Sequence, residues 1–195
     1  MILTTIPFSS SKNLGRAYNE VMERLRDDDW VVFLDHDAMF TTKNWHDQIV
    51  RAVQTRPDAG MLTGVANRTG NLAQRAVPAI NQNDHNYARH RLHGELIRKK
   101  FGDAAVDITN RFPIGGVVMV LSKRSWRRTG GFVDGLLCVD HRMHLAMKRA
   151  GLRVYLLRGL YLYHWRRAHN DISFLRGAPT AKCPCTSMRH LNRPL

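Results

Sequence analysis

Acidic residues are scarce in this chain. Sixteen Asp and Glu stand against 30 Lys and Arg in 195 residues, giving a formal net charge of +14 with His neutral. A surplus of that size implies an anionic partner: a nucleic acid, an acidic surface or a phosphorylated small molecule. The sequence has no zinc-finger spacing, no RNA-recognition signature, no heptad series, no internal repeat and no low-complexity tract, so no specific nucleic-acid module is expected. Cysteine is equally sparse: Cys138, Cys183 and Cys185. An odd count without a secretory signal argues against a disulfide framework. Cys183-Pro184-Cys185 lacks the second cysteine pair of a zinc tetrad, so all three thiols are expected to be structural or incidental. No apolar run approaches the roughly 18 residues that span a bilayer; the longest, Ile114 to Leu121, is far shorter. The first residues carry no basic leader or cleavage site, and a cytoplasmic location is the expectation.

What is present is the composition of one soluble globular domain, 44% hydrophobic and 24% charged. Its most informative stretch is Val31-Val32-Phe33-Leu34-Asp35-His36-Asp37. An apolar, β-branched run of this length reads as a buried strand. It ends in two carboxylates one residue apart, at the carboxyl edge where open α/β sheets bind ligands. Like charges held close repel, and a divalent cation with oxygen ligands would relieve them. A solvated turn after a strand is the alternative.

Strands are expected at Ile2–Ile6, Trp30–Leu34, Met61–Thr63, Ile114–Leu121, Arg153–Leu157 and Leu160–Tyr163. Helices are expected at Asn13–Leu25, over residues 44–55, and at His85–Lys100, Ser122–Arg128 and Val139–Ala150. In the first helix Leu14, Ala17, Tyr18, Val21, Met22 and Leu25 recur at three- and four-residue spacing. Gly151 suits a left-handed helix end. Residues Val65 to Gln82, rich in Asn, Gly and Thr, read as a loop over the sheet edge, the kind of segment that carries function. Strands alternating with helices indicate an α/β sandwich. His141 and His144 lie one turn apart on a helix and read as exposed histidines rather than a metal pair. Arg89, Arg91, Arg98, Lys99 and Lys100 read as a solvated basic face.

Three features join the acidic motif: Asn13-x-Gly15-x-Ala17-x-Asn19 on the first helix; Gly130-Gly131-Phe132 followed by Asp140 and, eleven residues on, Gly151; and His164-Trp165-Arg166-Arg167 after the last strand. In this order and spacing the chain resembles a family 2 glycosyltransferase of the GT-A fold, over roughly Asn13 to Arg167. The resemblance implies a Rossmann-like, mixed, mainly parallel sheet flanked by helices. It also implies a catalytic domain over residues 1–167 and a tail, 168–195, packed on or near the active face. It assigns Asp35, Asp37 and His164 to a divalent metal on the diphosphate of a nucleotide sugar, with Asp37 the more direct ligand. Asp140 becomes the base that takes the acceptor's proton. Pro7, Phe8, Ser9, Asn13, Arg16, His36, Gly115, Gly116, Arg166 and Arg167 are assigned to the nucleotide sugar. Two departures stand out. Val139 replaces a family Glu, and only a few residues separate Pro7 from Asn13, so the N-terminal nucleotide-binding part is truncated and the base is set only by family frequency, as UDP.

The chemistry is coherent with these residue types. A nucleotide sugar leaves behind a diphosphate that gains charge as the glycosidic bond breaks. A metal neutralises it as a Lewis acid, and Arg side chains clamp phosphate oxygens. Imidazole ligation favours Mn²⁺ over Mg²⁺. Direct attack would invert the anomeric carbon, with retention left open. The expected partners are a nucleotide-sugar donor and a hydroxyl acceptor, a saccharide first. A basic nucleic-acid-binding protein and a metal-dependent phosphoester or nucleotide hydrolase remain as alternatives.

Overall fold

Apolar alternation sets the sheet. In the second strand Val31 and Phe33 face one hydrophobic cluster and Val32 the other; Met119 and Leu121 oppose Val118 and Val120 in the same way. With both faces covered, a period-two pattern collapses into the near-continuous apolar runs seen in the sequence. The computed structural model describes residues 1–165 and 183–195. Among them seven strands form one sheet: β1 (Ile2–Thr5), β2 (Trp30–Leu34), β3 (Ala38–Phe40), β4 (Ala59–Ala66), β5 (Ala105–Asp107), β6 (Val118–Ser122) and β7 (Arg153–His164). The order is β1-β2-β6-β4-β7-β3, with β5 also on β7.

The sheet is mixed, as expected, but it is not mainly parallel. Only β1–β2 and β4–β7 run parallel; β2–β6, β4–β6, β3–β7 and β5–β7 are antiparallel. The reversal comes from β6, inserted between β2 and β4 against the direction of both. Two strands escaped the sequence reading because they are three residues long: β3 and β5 share one edge of β7 at opposite ends. The two late strands expected at Arg153–Leu157 and Leu160–Tyr163 are one, β7, whose pairing with β4 shifts register between Gly64 and Val65. The expected strand from Ile114 begins only at Val118, since Gly115 and Gly116 turn away from the ladder.

Among the described residues five α-helices flank the sheet: α1 (Leu14–Glu23), α2 (Trp45–Thr55), α3 (Tyr87–Phe101), α4 (Lys123–Thr129) and α5 (Val139–Arg149). From α1 and α5, Tyr18, Met22, Met143 and Met147 fill one cluster; from α2, Ile49 and Ala52 fill the other. Asn13, Asn86 and Ser122 cap α1, α3 and α4 by accepting the backbone N–H three residues on, each cap worth about 1 kcal/mol. Gly102, Gly130 and Gly151 sit at positive φ where α3, α4 and α5 end. A 3-10 helix, Pro184–Leu191, closes the described chain. No helix among the described residues is long and apolar enough to cross a membrane.

The motifs on α1 and on the loop before α5 grip one another. Asn13 Oδ1 accepts from Gly135 N at 2.9 Å, and Gly15 N donates to Gly135 O at 3.0 Å. Any side chain at Gly15 would drive into the Val133 carbonyl. Asn19 donates to Phe132 O at 2.9 Å and accepts from Phe132 N at 2.8 Å and Trp126 Nε1 at 2.9 Å. The Asn-x-Gly-x-Ala-x-Asn helix is therefore a clamp on the loop from Gly130 to Gly135, which leads straight into Asp140.

Candidate metal and donor site

Backbone pairing brings the acidic motif to His164. After β2 the chain turns at Asp35–Ala38, with Ala38 N donating to Asp35 O at 3.1 Å, and returns as β3. Strand β3 pairs with the end of β7 in the register Ala38 to His164, and Trp165 N donates to Asp37 O at 2.9 Å. Asp37 and His164, far apart in sequence, thereby become neighbours at the end of the ladder. His164 Nε2 lies 3.2 Å from Asp37 Oδ1 and 3.8 Å from Asp35 Oδ2, and one ligand atom from each of the three falls within 4.8 Å of the others.

The imidazole is held from behind. Its Nδ1 lies 2.7 Å from the Arg68 carbonyl, which can only accept, so Nδ1 carries the hydrogen. The His164 backbone N–H donates to Asn67 Oδ1 at 2.8 Å, and Asn67 Nδ2 returns a bond to His164 O at 3.2 Å. In the neutral ring the Nε2 lone pair then points at the carboxylates, the arrangement that outer partners impose on a metal-ligating histidine. Without a cation the pocket favours imidazolium. Burial opposes the charge, but the hydrogen bonds to Asp37 and to the Arg68 carbonyl, with both carboxylate charges, raise His164 above its usual value. Burial would likewise raise Asp37, but its hydrogen bond and charge contact with His164 prevail and lower it. Burial first, then the Asp37 and Asp140 charges, lift Asp35 to about 6 against the pull of His164. Two carboxylates and an imidazole lone pair fit a divalent ion of the Mn²⁺ or Mg²⁺ type, which would replace the Nε2 proton.

These side chains line a cavity of about 400 Å³ together with His36, Gly116, Tyr18 and Asp140. Asp140 sits in the first turn of α5. A Cβ at Gly116 would come within 3.2–3.3 Å of its side chain, so the glycine leaves the carboxylate its room. Tyr18 was expected only as a core residue of the first helix. Burial, then repulsion from Asp35 and Asp140, holds its phenol far above the normal tyrosine value. It stays neutral beside the two acids, and nothing in its helical spacing distinguishes it from a core residue. A second, shallower groove of about 520 Å³ opens on the other side of Asp37 and His36. It is lined by Met39, His85, Tyr87, Tyr163 and Trp165.

No protein-family profile and no curated protein matches the chain. The site is therefore read from its geometry and its chemistry.

Not every expected residue reaches the cavity. Pro7, Phe8, Ser9, Asn13 and Arg16 do not line it. Phe8 is 84% exposed. Ser9 Oγ accepts from Asn13 N at 2.8 Å, the Asn13 side chain is spent on its cap and on Gly135, and Arg16 pairs with Glu20. The amide and carbonyl of Gly115 are both taken by the Gln74 side chain, at 2.6 and 3.2 Å. Arg166 and Arg167 lie outside the described residues.

The polar loop from Val65 to Gln82 supports the site rather than covering it as a free flap. Asn67, Thr69, Asn71 and Gln74 are all buried. Asn67 and Arg68 hold His164, while Asn71 donates to the Phe112 and Pro113 carbonyls and Gln74 fixes Gly115.

A further cluster lies beside Asp140. Cys138, the residue that opens α5, adopts φ 60° and ψ 20° with no side-chain cap bond, a left-handed conformation that costs an L-residue about 1–2 kcal/mol. His141 Nδ1 and Cys185 Sγ lie 3.0 and 2.6 Å from Cys183 Sγ. Burial would raise Cys183, but hydrogen bonds from Cys138, Cys185 and His141 outweigh it and bring the thiol down to about 7. Burial and the bond to Cys183 push Cys138 and Cys185 up to about 12 and about 11. One sulfur is thus favoured as thiolate and its neighbours act as donors to it.

Proposed function

We propose that the chain is a divalent-metal-dependent glycosyltransferase that moves a sugar from a nucleotide diphosphate donor to a hydroxyl acceptor on a GT-A-like scaffold. One observation carries the reading: Asp35, Asp37 and His164 converge as a ligand set on the same cavity that Asp140 enters from α5. A bound ion, Mn²⁺ by preference, would supply Lewis-acid neutralisation of the diphosphate leaving group.

The residues of the chain supply the rest. Asp35 and Asp37 give the corner its negative charge, and Asn67 with the Arg68 carbonyl keeps the His164 lone pair aimed at it. Asp140 accepts the proton of the attacking hydroxyl, a step typically worth about 10²–10⁴-fold. Gly116 keeps that carboxylate unobstructed, and the clamp formed by Asn13, Gly15 and Asn19 fixes the loop that carries it. Tyr18 lines the same cavity as a neutral phenol, kept uncharged by burial and by the two acids. The aromatic groove beyond Asp37 offers flat apolar faces suited to sugar rings. Inversion follows from direct attack.

The test is a thermal-shift panel of nucleotide sugars with and without Mn²⁺, followed by product analysis with the donor that binds. Metal-dependent stabilisation by one nucleotide sugar, and a glycosylated acceptor, are the expected results. Free sugar or phosphate with every acceptor tried would make the site a hydrolase, which uses the same ligands around water. Stabilisation by none of the donors would remove the reading.

A further inference from the structure

The thiol cluster borders the site just described through Cys138, which lines the same cavity, and no step of the proposed transfer uses it. Its four side chains come from two distant segments. Cys138 and His141 are three residues apart at the start of α5, which puts both on one helical face. Cys183 and Cys185 arrive from the other direction, at the entry of the 3-10 helix. One ligand atom each from Cys138, His141 and Cys183 lies within 4.8 Å of the other two, and Cys185 Sγ is 2.6 Å from Cys183 Sγ. Tetrahedral coordination with metal–sulfur bonds of about 2.3 Å and metal–nitrogen bonds of about 2.0–2.1 Å needs ligand atoms separated by about 3.5–3.8 Å. To reach that spacing the Cys183 and Cys185 sulfurs must part from 2.6 Å, and Cys185 must swing toward the other three ligands.

We propose that Cys138, His141, Cys183 and Cys185 form a closed Cys₃His zinc site that fastens the C-terminal 3-10 helix to the first turn of α5. Three independent features favour it. Cys138 is one of only two non-glycine residues at positive φ among the described residues, and that backbone sits where its sulfur meets Cys183. The His141 ring is held edge-on by Phe112, with centroids 5.7 Å apart, and its Nδ1 faces the Cys183 sulfur at 3.0 Å. The donor set is soft sulfur with one imidazole, which selects zinc over the oxygen-seeking ions suited to Asp35 and Asp37.

No single spacing pattern in the sequence reveals this site. Here Cys-x-x-His and Cys-x-Cys are separated by 41 residues and meet only in the fold. The tie has a structural consequence. Asp140 lies between two of the ligands, and beyond the 3-10 helix Asn192 bonds Leu72 N and Gly70 O at 2.7 and 3.1 Å. A metal here joins α5, the tail and the polar loop that supports the acid corner.

The experiment is elemental analysis of the full chain, purified with reductant and without added metal. About one zinc per chain is expected, bound with release of thiol protons. A mercurial that blocks thiols should free that zinc from the unmodified chain, read with a chromogenic chelator. Cobalt exchanged into the site should show thiolate charge-transfer absorption and the intense visible bands of a tetrahedral ion. Cys183→Ser combined with Cys185→Ser should lower zinc content at least tenfold, whereas Asp37→Ala should leave it unchanged, which separates this site from the acid corner whether or not the chain transfers sugar. A reduced chain that takes up no zinc, a Cys183–Cys185 disulfide in its place by mass spectrometry, or zinc that survives thiol blocking would each overturn the proposal.

Discussion

Two corners of this molecule gather would-be metal ligands, and they are built in opposite ways. At the acid corner, Asp35, Asp37 and His164 stand at strand ends, held by β-ladder register and by a buried polar loop, and face an open cavity. At the thiol corner, Cys138, His141, Cys183 and Cys185 join a helix start to a distant tail. Oxygen-rich and incomplete coordination suits an ion that must also hold a ligand; sulfur-rich and complete coordination suits one that holds a fold. Asp140 sits between the two, in the cavity of the first and flanked in sequence by ligands of the second.

The difference is sharpest when Asp140 itself is changed. Asp140→Asn should lower transfer by about 10²–10⁴-fold while nucleotide-sugar binding with Mn²⁺ persists. Single-turnover transfer and a donor titration on the same preparation separate the two effects. Equal loss of binding and transfer would place Asp140 in donor binding instead of proton removal.

Asp37→Ala should remove metal-supported donor binding and with it about 10²–10³-fold of the transfer rate, because a metal's stabilisation of a leaving group amounts to several kcal/mol. Calorimetric titration with Mn²⁺ and donor reads the binding directly. A variant that binds both as the parent does would empty the acid corner of its role and leave the thiol corner as the chain's metal site.

How much of this was legible in the sequence depends on the range over which residues act. The strand Trp30–Leu34 and its acidic end were readable because alternation and termination are local. The helices were readable for the same reason, down to the glycine ending α5. Strand direction was not: nothing in residues 118–122 states that they run against both neighbours. The acid corner was half visible. Asp35 and Asp37 announce themselves, but their meeting with His164 rests on the three-residue strand β3, too short to leave a periodicity. Asn13 and Arg16 were assigned to the nucleotide because a motif names its residues without showing their partners, and here those partners are Gly135 and Glu20. The thiol corner was invisible, since its two halves touch only through tertiary structure.

Protons compete with the metal at the acid corner, and the sign follows from His164. Its folded value is raised, so in the metal-free chain the imidazolium contact with Asp37 stabilises the fold below the unfolded value of 6.5 and is lost as pH rises through the folded value. A divalent ion takes the place of that proton and, on Asp35, of one that leaves near pH 6. Thermal stabilisation by Mn²⁺ should therefore grow from pH 5.5 to pH 8, with affinity changing about tenfold per pH unit for each displaced proton. Stabilisation that is flat across that range would mean Mn²⁺ binds elsewhere.

One histidine sets the boundary of the thiol corner. His144 follows His141 by one turn of α5, and a metal reading of that helix must say which of the two takes part. His144 is fully buried, and its Nε2 donates to the Thr109 carbonyl at 3.2 Å; its Nδ1 has no partner among the described residues. Burial, against the raising effect of that bond, lowers its value from 6.5 to about 4. The unfolded chain thus binds a proton between those values that the folded chain refuses. Stability is whole above pH 6.5, falls as the pH drops toward 4, and loses about 3 kcal/mol at most from this residue. His144→Gln keeps a donor for Thr109 and abolishes the titration. Urea unfolding of parent and variant through this range should show the parent losing the greater share, with zinc content equal in both. Parallel stability curves, or zinc lost with His144, would move the ligand one turn along the helix and redraw the thiol corner.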